Sequence, residues 1–187
     1  MVTITLSKEE LSWCLDNAKK IVAHYGGEGS RGSGAYNHNK VSSNIIGVKS
    51  EVALVKWFRS HSVAPIIENY KQFKKTGLKG DLQVSEAQQP VEVKGLRPHQ
   101  WKKFQRMIPP RQLGHYVRDK SIVVWTTTVG DSQDGEVRLR GWNYAWEVQE
   151  FGVPIKTICD NIWLKDDDMM RPMHSILNHL ENPITEW

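Results

Sequence analysis

Two acidic residues and a lysine fall on neighbouring predicted strands in the segment GDLQVSEAQQPVEVKG, residues 80–95. Side chains alternate along a strand, so Glu92 and Lys94 share one face. On the preceding strand Asp81 and Gln83 share a face in the same way. Pairing the strands across the polar turn places Asp81 opposite Lys94, and it places Gln83 opposite Glu92. The apolar side chains take the other face: Leu82, Val84, Val91 and Val93.

This grouping of two carboxylates and an ammonium group is suited to metal-assisted hydrolysis. Neighbouring carboxylates repel each other, and a hard divalent cation relieves the repulsion. Mg²⁺ favours one or two carboxylates together with water and phosphate oxygens, and we expect Mn²⁺ to substitute for it. A lysine beside such a metal can orient water or stabilise developing negative charge, which is the chemistry of phosphodiester hydrolysis. The alternative is a surface hairpin with a weak cross-strand ion pair.

The charge distribution favours a polyanionic partner. Residues 71–120 contain 12 Lys and Arg against 4 Asp and Glu, whereas residues 121–187 contain 5 against 11. A basic segment next to an acidic one is typical of a nucleic-acid-binding surface, with a solvated helix face as the alternative. Trp101 lies among cations and could stack on an unpaired base or pack in the core. The candidate nucleic-acid-binding residues are Lys79, Arg97, Trp101, Lys102, Lys103, Arg106 and Arg111.

The periodicity of apolar residues predicts helices and strands mixed along the chain. Ser7 and Glu10 form a capping box for the first helix. The predicted helices cover residues 8–25, 44–60, 112–118 and 143–151, and a last one follows Asp166–Asp168. The predicted strands cover 65–70, 80–85, 90–95, 121–129, 136–141 (an edge strand) and 161–164. The glycine-rich segment 26–40 has the GxGxxG spacing but follows a helix, so it is predicted to be a loop without a dinucleotide site.

The hairpin resembles the signature of the PD-(D/E)XK nuclease superfamily. Asp81 is followed after ten residues by Glu92-Val93-Lys94, and Gly80 stands where that family often has proline. The preceding segment GVKSEVALVKWF, residues 47–58, resembles the family's glutamate-bearing helix.

The resemblance covers residues 44–129 and implies both a fold and a set of roles. The implied fold is α/β, a restriction-endonuclease-like core with a mixed central sheet flanked by helices in the order αβββαβ. Asp81, Glu92 and the Val93 carbonyl would bind the metal, Lys94 would be catalytic, and Glu51 would hold a second metal or its water shell.

Gln112 and Tyr116 have the Gln-x-x-x-Tyr spacing of the RecB-like exonuclease branch of that superfamily. Residues four apart share a helix face, so both side chains would line the site together with Gln83. The alternative is ordinary packing, with Tyr116 in the core and Gln112 exposed.

Composition indicates one globular domain over residues 1–187 and excludes several classes of protein. The sequence has no signal-like start and no long apolar run, so we expect a cytoplasmic protein without a membrane partner. Its two cysteines, Cys14 and Cys159, indicate neither a disulfide framework nor a zinc site. We expect a magnesium-dependent DNA endonuclease, restriction-like or selective for branched DNA, and such enzymes often act as homodimers. The alternatives are a repair or recombination exonuclease and a DNA-binding protein without catalysis.

Overall fold

A computed structural model describes residues 1–25, 41–104, 106–156, 160–165 and 169–182, and for 102–104 it describes the backbone alone. The helices are α1 (Lys8–Tyr25), α2 (Val41–Ser60), α3 (Pro98–Phe104), α4 (Pro110–Arg118), α5 (Ala145–Phe151) and α6 (Ser175–Glu181), with a 3-10 helix at Asn69–Gln72. The strands are β1 (Val2–Thr5), β2 (Ile66–Ile67), β3 (Leu82–Val84), β4 (Gln89–Leu96), β5 (Arg106–Ile108), β6 (Ile122–Thr128), β7 (Glu136–Tyr144), β8 (Val153–Lys156) and β9 (Asp160–Leu164).

Most of these strands form one mixed sheet in the order β1-β7-β6-β4-β3-β2. β4 and β6 are parallel, and the other neighbours are antiparallel. A second sheet has the order β5-β9-β8. The mixed α/β architecture predicted from the sequence is confirmed at this level.

The central strand β6 is buried on both faces, which places a core on each side of the large sheet. Ile122 and Val124 belong to a core shared with α1 and α2. Val123 and Trp125 alternate with them and belong to a second core shared with α4, α5 and the small sheet. The helices therefore lie on both faces of the sheet, as side-chain alternation along a doubly buried strand requires.

From α2 to β6 the elements run helix, three strands, helix, strand, with α3 and β5 inserted before α4. Parallel strands need a crossover connection, and α4 lies in the connection between β4 and β6. The strand β4, which carries the acidic and basic residues of the hairpin, therefore lies close to helices on both of its faces.

Lys49 holds α2 against the loop that joins β6 to β7. Its side chain is fully buried, and its Nζ donates to the backbone carbonyls of Val129 at 3.0 Å, Asp131 at 3.1 Å and Asp134. Burial lowers the pKa of Lys49, while nearby acidic residues, Asp134 first, oppose that shift. All three donors of the ammonium group are engaged, so Lys49 fixes the position of α2.

The hairpin register differs from the prediction by two residues. Leu82 pairs with Val91 and Gln83 with Pro90, so Gln83 does not lie opposite Glu92. The turn is shorter than predicted because Ser85 and Gln88 both adopt positive φ, at 62° and 50°, and bring the strands together earlier. A two-residue shift preserves the faces, so the separation of acidic and apolar side chains is retained.

Other element boundaries also depart from the prediction. The residues predicted as a strand at 65–70 form only β2 and the start of the 3-10 helix. β7 is not an edge strand, because the unpredicted β1 pairs with its outer side. The last helix begins at Ser175, after Pro172, and the predicted cap at Asp166–Asp168 lies outside the described residues, as do the 26–40 segment and Cys159. Cys14 is a buried free thiol.

The capping box is confirmed: the Ser7 amide donates to Glu10 at 2.6 Å, and the Glu10 amide donates to Ser7 Oγ at 3.2 Å. No helix in the described ranges has the length and apolar character that crossing a membrane requires.

Candidate active site

Asp81 lies immediately before β3 and binds β4 through both its backbone and its side chain. Its amide donates to the Val91 carbonyl at 2.9 Å, and its Oδ2 accepts the Val93 amide at 2.8 Å. The amide and carbonyl of one strand residue point to the same side of the strand, so the Val93 carbonyl also points to the side of β4 on which Asp81 lies. The predicted metal ligands Asp81 and Val93 are therefore side by side.

Asn69 positions the turn that leads into Asp81, and no sequence pattern pointed to it. Its side chain is 3 % exposed, and Nδ2 donates to the carbonyls of Lys79 at 2.9 Å and Gly80 at 3.3 Å. Gly80 has φ +68°, and a Cβ there would lie 2.9 Å from the Val91 backbone. Proline cannot adopt that φ, so the glycine at this position is a structural requirement in this chain.

Lys94 reaches from β4 to two side chains of α4. Its Nζ donates to the Tyr116 hydroxyl at 2.6 Å and to Gln112 Oε1 at 3.4 Å. The Tyr116 hydroxyl in turn lies 3.2 Å from Gln112 Oε1, to which it donates. Both α4 side chains therefore lie beside the Lys94 ammonium group, and half-buried Tyr116 also packs against the second core.

Close packing of α2 on β4 brings Glu51 to the same place. A Cβ on Gly95 would lie 2.6 Å from Ser50 Oγ, so only glycine allows this approach. Ser50 Oγ also accepts a hydrogen bond from Thr126 Oγ1 at 2.6 Å, which joins α2 to β6. Because Glu51 follows Ser50, its carboxyl group is held within electrostatic range of Asp81, Glu92 and Lys94.

The resulting polar cluster consists of Glu51, Asp81, Glu92, Lys94, Gln112 and Tyr116. Burial raises the pKa of all three carboxyl groups, and the charge of Asp81 raises the pKa of Glu51 further. The pKa of Glu92, which is 8 % exposed, rises to about 8 through burial and the Asp81 charge. Burial alone would lower the pKa of Lys94, but Tyr116, Glu92 and Asp81 raise it above its ordinary value. The cluster has more acidic groups than its single ammonium ion can neutralise.

No family model, no curated protein and no solved structure matches this chain. Its function must be inferred from the chemistry of the cluster itself.

The cluster has the donor chemistry of a hard-cation site, although its carboxylates are not in a ligating arrangement. Within the described residues no three His, Cys, Asp or Glu side chains are grouped so that they could hold a metal ion. Asp81 Oδ2, an oxygen that a metal would use, already accepts a hydrogen bond from the Val93 amide. Mg²⁺ needs only one or two carboxylates, and it would stabilise the ionised form of carboxyl groups whose pKa burial has raised. Asp81, Glu92 and the Val93 carbonyl fit this requirement, with Glu51 beside them.

The predicted nucleic-acid-binding residues differ from one another in exposure. Lys79 and Arg111 are exposed, and half-buried Arg97 donates from Nη2 to the Ser42 carbonyl at 3.0 Å. Lys102 and Lys103 lie on α3, and their side chains are outside the described residues.

Two of those predictions are corrected by burial. Trp101 is 7 % exposed and belongs to the second core, where the Arg140 guanidinium lies 4.7 Å from its ring centroid. Arg106 is fully buried on β5. Trp101 packs into the second core from α3, and Arg106 lies on a strand of the small sheet, so neither side chain is presented to a ligand at the surface.

Gln83 supports the site rather than lining it next to Glu92. Its Oε1 accepts the Asn69 amide group at 3.2 Å. The pair links β3 to the 3-10 helix and helps to fix the backbone that carries Asp81.

Proposed function

We propose that this protein is a metal-dependent DNA endonuclease that hydrolyses phosphodiester bonds at the polar cluster. The observation that carries the proposal is the convergence of Glu51 from α2, Asp81 from the turn before β3, and Glu92 and Lys94 from β4. These residues are 43 positions apart in the sequence at their extremes, as the numbering shows. A chance cross-strand ion pair does not account for the buried Glu92 or for the presence of Glu51.

The order of elements supports a restriction-endonuclease-like core. A helix with an acidic residue precedes three strands, and a further helix leads to a strand parallel to the third. The acid-x-lysine sequence lies on that third strand, and Asp81 immediately precedes the second. This is the arrangement that the resemblance to the PD-(D/E)XK superfamily implies.

Each residue of the cluster has a role that follows from its surroundings. Asp81, Glu92 and the Val93 carbonyl would hold Mg²⁺, with Glu51 binding a second ion or ordered water. The bound ion would acidify a water molecule and stabilise negative charge on the phosphate. Lys94 keeps its proton at neutral pH, because its pKa is raised by the surrounding groups. It therefore acts as a hydrogen-bond donor and a positive charge towards the phosphate, and it does not act as a general base.

Cleavage assays test this proposal directly. Linear, circular, single-stranded and four-way-junction DNA would be incubated with Mg²⁺, Mn²⁺ or EDTA. We expect metal-dependent nicking of circular DNA that is lost in Asp81→Asn and Glu92→Gln but retained in Glu150→Gln, a change at an exposed glutamate of α5. Absence of cleavage in every condition, together with binding that survives EDTA, would favour the DNA-binding protein without catalysis.

A second candidate is an exonuclease of the repair or recombination type. The observation favouring it is that Gln112 and Tyr116 both contact the Lys94 ammonium group. An enzyme of this kind requires a DNA end, so it would degrade linear DNA and leave closed circles intact. The circular substrate in the same assay distinguishes the two candidates.

A further inference from the structure

A lysine-rich loop begins and ends beside the candidate site. We call residues 71–79, KQFKKTGLK, the lysine loop; it contains four lysines and no acidic residue. Before it, the Tyr70 amide donates to the Asp81 carbonyl at 2.9 Å. At its end, the Lys79 carbonyl accepts Asn69 Nδ2 at 2.9 Å. These bonds hold both ends of the loop next to the strand that carries Asp81.

The charges of the lysine loop are available for a ligand. Lys74, Lys75 and Lys79 are exposed, and none of them forms an ion pair with another residue in the described part of the chain. Lys71 forms an ion pair with Glu68, with 2.6 Å between Nζ and Oε2, and its side chain is 43 % exposed. Unpaired cations on one loop attract a phosphate backbone and release its counterions.

An exposed tryptophan lies against the start of this loop. Trp13 of α1 is 36 % exposed, and the Tyr70 ring lies edge-on to it with 6.1 Å between the ring centroids. The Lys71 ammonium lies 5.5 Å from the centroid of the Trp13 ring. Burial, then Glu68 and Glu51, raise the pKa of Tyr70, so Tyr70 also lies within electrostatic range of Glu51 in the cluster.

We propose that Trp13 and the lysine loop bind single-stranded DNA next to the cluster, so that the substrate carries unpaired bases beside the cleaved bond. Aromatic rings stack on the faces of unpaired bases, whereas in a duplex those faces are covered by neighbouring base pairs. A base on the Trp13 ring would displace the Lys71 ammonium group towards the adjoining phosphate. The exposed lysines of the loop would then contact successive phosphates of the DNA strand: Lys74, Lys75 and Lys79. The substrate assignment rests on the proposed function of the cluster, but the binding of single strands does not.

Binding in EDTA separates this proposal from catalysis. The Glu92→Gln protein would be titrated with an oligothymidylate, a blunt duplex and a duplex with a single-stranded tail. Trp13→Ala in that background should weaken binding of the oligothymidylate and the tailed duplex roughly ten-fold, the usual contribution of a stacked base. Binding of the blunt duplex should stay unchanged, and Trp13→Phe should restore most of the affinity.

The matched control is Phe151→Ala. Phe151 is 49 % exposed and lies at the end of α5, where its ring centroid is 6.2 Å from that of Trp146. Its removal should leave all three affinities unchanged. An equal loss of affinity for every DNA in Trp13→Ala, or no loss for any, would overturn the proposal, as would failure of the parent to bind the oligothymidylate.

The lysines are tested through salt dependence. Replacing Lys74 and Lys75 together by Ala should reduce the slope of log affinity against log salt for the oligothymidylate by roughly 0.7 for each phosphate that the variant no longer neutralises. Lys156→Ala, at an exposed position of β8, should leave the slope unchanged. An unchanged slope in the double variant would contradict the role of the loop. If the protein binds single strands in this way but never cuts DNA, only the proposed function is contradicted. If it cuts DNA but Trp13→Ala leaves binding unchanged, only the proposed binding surface is contradicted.

Discussion

Two lysines withdrawn from solvent, Lys49 and Lys94, have pKa values shifted in opposite directions. Lys49 is fully buried and donates to three backbone carbonyls, and burial lowers its pKa. Lys94 is half-buried and donates to the side chains of Tyr116 and Gln112, and its neighbours raise its pKa. The first lysine is held by groups that cannot leave, because they belong to the backbone of a loop.

The partners of Lys94 are side chains, and a substrate can replace them. A phosphate oxygen entering the cluster would compete with Tyr116 and Gln112 for the ammonium group without breaking the fold. Lys49 has no such freedom, since all three of its donors hold α2 to the loop between β6 and β7. Partner type therefore separates a structural lysine from a candidate catalytic one more clearly than burial does.

The largest expected effect is the loss of activity in Lys94→Ala. Removing a charged donor aimed at the transition state typically lowers kcat about 10²–10³-fold. The measurement is nicking of circular DNA at saturating Mg²⁺, with Lys156→Ala as the matched control for removal of one positive charge. Cleavage within a few-fold of the parent would show that Lys94 belongs with Lys49 as a structural residue.

Lys49→Met should lower stability, whereas Lys94→Ala lowers activity. Methionine retains the packing of the aliphatic chain but leaves three carbonyls without their donor, which should lower the free energy of unfolding by about 3 kcal/mol. Denaturant unfolding measures this, and nicking by the folded protein at low temperature should fall far less than in Lys94→Ala. Lys56→Met is the control on the same helix, because its ion pair with Glu10 is 42 % exposed at Lys56 and should contribute less than about 1 kcal/mol.

Gly95→Ala tests whether the two regions depend on one packing contact. Its Cβ would meet Ser50 Oγ at 2.6 Å and Ile46 Cγ2 at 2.9 Å, so α2 must move away from β4. We expect the free energy of unfolding to fall by about 1–3 kcal/mol, and nicking activity to fall because Glu51 moves with α2. Gly114→Ala on α4 is the control, since no atom lies within 4 Å of the added methyl group. Equal thermal stability of the two variants would contradict the contact.

The sequence could predict the faces of the hairpin but not its register. Alternation along a strand is a local property, so the grouping of Asp81, Glu92 and Lys94 follows from their spacing. The register depends on positive φ at Ser85 and Gln88, and neither serine nor glutamine favours that conformation. The helical spacing of Gln112 and Tyr116 was likewise sufficient to place both on one face.

Contacts between side chains and distant backbone carbonyls could not be read from the sequence. Lys49 bonds to residues 80 or more positions away, and Asn69 bonds to the turn before Asp81. Neither contact leaves a pattern of residue types along the chain. Arg106 was placed wrongly for a related reason, because its burial depends on β5 pairing with β9 far along the sequence, and Trp101 follows the packing alternative.

The smallest expected effect concerns stability against pH in the absence of divalent cations. The pKa of Glu92 rises from 4.5 to about 8 on folding, so the folded protein binds more protons than the unfolded chain between these values. The contribution of Glu92 to stability is therefore fully present below about 4.5 and disappears as the pH rises towards about 8. Glu92→Gln keeps a neutral side chain at every pH, so its Tm should exceed that of the parent in EDTA at the upper end of this range and converge with it at the lower end. Parallel Tm curves for the two proteins would show that Glu92 carries no unfavourable charge in the folded protein, and that the surroundings of Lys94 do not differ from those of Lys49 in this respect.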